Sequence, residues 1–149
     1  MSRCRFCLSK EKENCINVCD GEQREEFKIK LLEFGVPTKK GHVYKFENIE
    51  FPPNKMLFGT SDRTEKFGEA SISKLAATAR PLLKEDGVYA EVTIYKTPAG
   101  NDFKKLLFEG GFYLVPDVTG RYDEQPNGTQ VIKECKLSGF YLRKTGIYD

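Results

Sequence analysis

Hydrophobic positions along this chain change period several times, and each change marks an element. Over residues 23–34, Q-R-E-E-F-K-I-K-L-L-E-F sets Phe27, Leu31 and Phe34 at i, i+4 and i+7. That spacing predicts an amphipathic helix with acidic residues early, where the dipole favours them, and Gly35 as its stop. After Pro37 the period drops to two. Val43, Tyr44, Phe46 and Ile49 to Phe51 predict strands closed by Pro52-Pro53. A short apolar run at Met56 to Phe58 is followed by the polar loop G-T-S-D-R-T-E-K-F-G. Residues 70–80 carry two signals: their alanines favour helix, whereas Ile72, Leu75 and the restriction before Pro81 fit an extended segment. A strand is the reading adopted, because the hairpin that follows needs a partner.

The densest signal runs over residues 81–122. Leu82-Leu83 and Val88 to Tyr95 flank Asp86-Gly87, a strong hairpin signal. Val88, Ala90, Val92 and Ile94 alternate with Tyr89, Glu91, Thr93 and Tyr95, so one face is apolar. In T-P-A-G-N-D-F-K-K-L-L-F-E-G-G, a helix over 101–109 is expected, capped by Asn101 or Asp102, with Phe103, Leu106 and Leu107 as its stripe. A strand follows at residues 112–115, which Pro116 interrupts or pushes to an edge. Asn127-Gly128 predicts a second hairpin tip, and the long apolar segment 129–142 suggests a bulge at Gly139.

Thirteen glycines and seven prolines, spread along 149 residues, suit a turn-rich β protein better than a helical bundle. The length fits one domain with a sizeable core. No apolar run approaches the roughly 20 residues of a membrane-spanning helix, and no signal-peptide pattern opens the chain; a soluble intracellular protein, or one assembled inside a cell, is the expectation. The formal charge of +2 is too small to argue for nucleic acid. Lys39-Lys40 and Arg143-Lys144 read first as solvated surface, with nucleic-acid contact the minor alternative.

Residues 1–22 form a separate compositional zone holding four of the five cysteines. Cys4, Cys7, Cys15 and Cys19 form C-x2-C-x7-C-x3-C. Two close pairs of thiolates can hold zinc tetrahedrally, and zinc would supply folding energy that this polar segment lacks. Free thiols in a disordered tail, or disulfides, are the alternatives. The opening C-R-F-C-L-S-K-E-K resembles the start of the insect zinc-finger-associated domain, whose later C-x-x-C has no counterpart here. Cys135 reads as a small buried apolar residue.

Catalytic chemistry is sparse. His42, the single histidine, reads as a surface or packing residue, since nucleophilic catalysis would need a hydroxyl or thiol and an orienting carboxylate around it. Ser61-Asp62 reads as turn chemistry. Asp117 and Asp123, expected to flank a tight turn at Gly120, could serve acid–base work or hold a cation, with a solvated loop as the plainer reading. No phosphate-binding loop, dinucleotide fingerprint or H-E-x-x-H is present.

From about Gly41 onward, the order K-K-G-H-V-Y-K-F, then E-D-G-V-Y-A-E-V-T-I, then T-P-A-G-N-D-F-K-K-L-L-F-E-G-G, then V-I-K-E-C-K-L-S-G-F-Y-L resembles the prohead maturation proteases of tailed bacteriophages, which share the herpesvirus assemblin-like fold. The resemblance implies a serine protease scaffold whose histidine follows the first strands and whose serine follows the helix. The segments in those places are F-G-T-S-D-R, without a histidine, and Y-L-V-P-D-V-T-G, with Asp117 and Val118 where the serine belongs. Thr119 would lack a base, and His42 falls in a different strand. No residue is therefore assigned as catalytic. The expectation is an α+β fold: a mainly antiparallel barrel-like core with two short helices over residues 23–149, plus the cysteine-rich arm over 1–22. The expected function is a non-catalytic capsid or head-associated phage protein in an oligomeric assembly with other viral structural proteins. A divergent serine-type prohead protease, and a zinc-dependent module binding protein or nucleic acid, are the alternatives.

Overall fold

Alternation builds the centre of the molecule as the sequence predicts. In the computed structural model, which describes residues 4–8, 22–62 and 72–148, Val88, Ala90, Val92 and Ile94 are all buried. They lie on β6 (Gly87–Ile94), which pairs antiparallel with β5 (Ala77–Lys84). The segment with two signals thus resolves as a short 3-10 turn at Ile72–Lys74 followed by a strand. Lys84 pairs with Gly87, so Glu85 and Asp86 form the tip. Gly87 is required by crowding: a Cβ there would sit 2.0 Å from the Leu32 carbonyl oxygen.

The other partner of β6 is β1 (Glu26–Glu33), antiparallel, with Phe27 opposite Val92. This corrects the helix expected over 23–34. Phe27, Ile29 and Leu31 also alternate with period two, all three are buried, and pairing to β6 decides between the periods. A bulge between Lys30 and Leu32 lets the adjacent Leu31 and Leu32 both face inward. Gly35 does mark a stop, but of a strand, with φ of 78°.

One α-helix is present among the described residues, where two were expected: α1 (Pro98–Phe108). It starts earlier than predicted because Thr97, not Asn101 or Asp102, is the cap. The Gly100 N–H donates to the Thr97 hydroxyl (3.1 Å), and Pro98 takes the first helical position. Gly100 lets the helix start lie against the preceding strand, since a Cβ would be 1.9 Å from the Tyr95 carbonyl oxygen.

The remaining elements gather on one strand. β8 (Gln130–Arg143) runs antiparallel to β7 (Tyr113–Glu124) along one side. Along its other side lie, in turn, β2 (His42–Val43), β3 (Ile49–Glu50) and β4 (Leu57–Thr60), all parallel to β8. The mainly antiparallel expectation thus gains three short parallel pairings. Pro116 is accommodated because β7 pairs only with β8, leaving an edge free of a donor requirement. A bulge falls at Ser138, beside Gly139. Gly128, with φ of 88°, turns the β7–β8 tip. The sheet order β1-β6-β5-β4-β8-β2 curls until its ends touch, through a bridge between Phe34 and Tyr44.

Phe103 of α1 and Phe140 of β8 meet edge to face at the centre (6.1 Å), both fully buried. Phe6 of the N-terminal arm joins this core, stacking on Phe108 (5.8 Å). Arg5 donates to the carbonyls of Leu107 (2.7 Å) and Phe112 (2.6 Å), satisfying the end of α1. At the other terminus, the Tyr148 hydroxyl accepts from the Glu33 N–H (2.7 Å) and donates to the Glu33 carbonyl (3.0 Å). The Lys39 N–H donates to the Ile147 carbonyl (2.8 Å), which lays the tail beside the loop before β2.

Candidate functional site

Two places were singled out by the sequence, and the fold brings them together. Phe58, Gly59 and Thr60 of the F-G-T-S-D-R segment end β4, and Y-L-V-P-D-V-T-G forms the first eight of the twelve residues of β7. Phe58, Gly59 and Thr60 pair with Gly139, Phe140 and Tyr141 from one side. Asp117, Pro116 and Val115 pair with the same three residues from the other. The segments that the resemblance assigns to histidine and serine therefore face each other across a single strand. Thr60 there is buried, and its hydroxyl donates to the Asp62 carbonyl. Ser61 accepts from the Leu142 N–H through its backbone carbonyl (3.3 Å). Asp117 is 6% exposed, and its carbonyl accepts from the Ser138 hydroxyl (3.3 Å).

His42 lies elsewhere along β8. Its partner Gln130 is nine positions before Gly139 (139 − 130). The imidazole stacks on Tyr122 of β7, with centroids 4.4 Å apart and planes at 30°. The His42 backbone N–H donates to the Thr38 hydroxyl (3.2 Å). These residues line a groove of about 350 Å³ between the loop before β2, the β7 edge and the C-terminal tail. Tyr44, Asp117, Tyr141, Lys39, Lys40 and Arg143 line it too. Burial pushes the Tyr44 phenol well above its ordinary range, with neighbouring Cys135 and tyrosines adding to the rise. Tyr44 thus presents a neutral phenol to the groove.

The other candidates separate. Asp123 pairs with Lys133 (2.9 Å). Gly120 is not a turn between the two aspartates but a mid-strand residue of β7, where a Cβ would be 1.9 Å from the Glu134 carbonyl oxygen. Asp117 and Asp123 therefore lie along one strand and form no carboxylate pair at a turn. Cys135 is buried, and burial pushes its thiol up to about 12, so it stays protonated and unreactive. Cys4 and Cys7 are half-buried on one tight turn, in which the Leu8 N–H donates to the Cys4 carbonyl (3.0 Å). Cys15 and Cys19 lie outside the described residues. Sequence reasoning missed Tyr44, Tyr122 and Tyr141 as a shared lining. No spacing signals them, because they come from three strands; only the basic pairs hinted at the groove, and each looked isolated.

No protein-family model matches the chain, and no curated protein matches it. Among solved structures, the capsid assembly protease of bacteriophage T4, gp21, is similar to it, with a TM-score of 0.58 over 78% of this chain and 79% of that one, at 15% sequence identity. Four features recur in the expectation and in the structure: the hairpin, the helix after it, the β7 edge strand and the closing β8. The chain thus has the fold of a phage prohead protease.

Proposed function

We propose that this chain is a capsid- or head-associated protein of a tailed phage that uses a prohead-protease fold without its acyl-transfer chemistry. One observation carries the proposal. Where the fold brings β4 and β7 together across β8, the residues are Thr60, Ser61, Pro116 and Asp117, and the single histidine of the chain pairs elsewhere. Acyl transfer needs an oxygen or sulfur nucleophile with a base in reach of its proton. Asp117 at the serine position offers no hydroxyl for an imidazole to deprotonate, and His42 pairs with a distant part of β8. The partners on this reading are other viral structural proteins, met in an oligomeric assembly. Fold alone does not fix function, so the site is what supports it.

The test has two arms. Purified particles analysed by mass spectrometry should contain the protein at fixed stoichiometry, and the purified chain should leave capsid and scaffold proteins uncut. Absence from particles removes the structural role. Cleavage that His42→Ala abolishes would instead establish the second reading, a divergent protease, which the groove favours by bringing His42, Thr38 and Asp117 to one lining. For the N-terminal arm we infer a zinc knuckle from Cys4, Cys7, Cys15 and Cys19, two of which share a tight turn. Metal content below one zinc per chain ends that inference.

A further inference from the structure

Lys39-Lys40 and Arg143, which looked isolated in the sequence, converge on the aromatic groove. Lys39 and Lys40 reach it from the loop before β2, and Arg143 from the end of β8. The contact between Lys39 and Ile147 (2.8 Å) is what joins these segments. Three cations line the groove against one carboxylate, Asp117, which is buried. Neither lysine has an ion-pair partner among the described residues, whereas Lys30, Lys96, Lys104 and Lys133 all do. Beside the cations stands a ring platform. Tyr122 is 49% exposed although it is a large aromatic residue, and His42 backs it at 4.4 Å.

Two lysines without ion pairs, beside Arg143, whose guanidinium donates to the Thr145 and Gly146 carbonyls (3.2 and 3.4 Å), and beside a supported, half-exposed ring, suit a ligand that carries an anion and a flat π-face together. A base stacks on the ring while its phosphate meets the cations. The volume of about 350 Å³ lies in the range of small-ligand sites and suits one nucleotide rather than a folded partner. We propose that this groove binds a nucleotide unit, with the base on Tyr122 and the phosphate at Lys39, Lys40 and Arg143. The unit is either a free mononucleotide or one residue of a single strand. This inference stands apart from the capsid reading above; a chain that cuts or does not cut capsid proteins can bind here equally.

Fluorescence polarisation of the full chain with a labelled single-stranded DNA dodecamer tests it, with unlabelled adenosine monophosphate and polyglutamate as competitors. Binding should weaken with salt at a log–log slope of about −0.7, as expected for one neutralised phosphate on a single strand. Tyr122→Ala should weaken it about tenfold and Tyr122→Phe should not, which isolates the ring from the hydroxyl. The exposed double variant Lys39→Glu/Lys40→Glu should abolish it while leaving the fold intact. Competition by the mononucleotide identifies the free nucleotide as ligand; binding of the dodecamer alone identifies the strand. Three results overturn the proposal: no binding of either probe, equal competition by polyglutamate, or wild-type affinity in the Tyr122→Ala and double-lysine variants.

Discussion

Lys30 and the Lys39-Lys40 pair are near neighbours in sequence and opposites in setting. Lys30 is 7% exposed, with Nζ 3.0 Å from Asp86 and 3.8 Å from Glu33. The Tyr89 ring lies 5.5 Å away, and its hydroxyl donates to the same Asp86 carboxylate (2.8 Å). Burial and the Asp86 hydrogen bond push that phenol up to about 12. Every charge in this cluster has a partner, and the cluster ties β1 to the β5–β6 tip. Lys39 and Lys40 are exposed on an open groove, without ion pairs among the described residues. The first lysine is fixed in place by its partners and holds strands together. The second pair is left available, and availability is what recognition needs.

This contrast can be broken most sharply at Gly87. A methyl group 2.0 Å from the Leu32 carbonyl oxygen would push β6 off β1 beside the Lys30 cluster. Gly87→Ala should lose about 3 kcal/mol in urea unfolding. A near-wild-type midpoint would mean that the β1–β6 contact is looser than described. Next in size is Lys30→Met, which keeps the apolar stem and removes the charge. It should lose about 1–2 kcal/mol, since Asp86 is exposed enough to regain water. An unchanged midpoint would make the ion pair dispensable.

The third effect is pH-dependent. Burial raises the Asp86 pKa, but hydrogen bonds from Tyr89 and Lys30, with the Lys30 charge, outweigh it and hold the carboxylate below its ordinary 3.8. A carboxyl depressed on folding adds stability that is full above its unfolded pKa and lost as pH falls through the folded value. Unfolding midpoints taken downward from pH 6 should therefore drop below about pH 4, and Asp86→Asn should flatten that part of the decline. The smallest effect belongs to the groove. Lys39→Glu/Lys40→Glu should change stability by less than about 0.5 kcal/mol, and a larger loss would give these lysines a structural task.

The run from the β5–β6 hairpin through α1 into β7 was legible because its determinants are local: an alternating strand, the stripe of Phe103, Leu106 and Leu107, and a glycine pair at the helix end; the Thr97 cap was missed. Even there, the reason for Gly87 was not readable, since its constraint comes from Leu32 on another strand. The segment 26–33 misled because Phe27 and Leu31 satisfy both periods. Only the edge of β6, some sixty residues further on, selects between them. The groove was least legible. Its lining comes from the loop before β2, from β7 and from the chain end, and parallel pairing of a two-residue strand gives almost no pattern to read.

Tyr148 carries one more consequence. Where β1 runs out, at Glu33, a single phenol does what the next residue of a neighbouring strand would do: it takes the N–H and gives to the carbonyl. The side chain is in effect a strand shortened to one oxygen. Because that oxygen comes from Tyr148, the sheet edge at Glu33 is closed by an atom 115 positions away along the chain, and the finish of β1 is written there rather than in β1 itself.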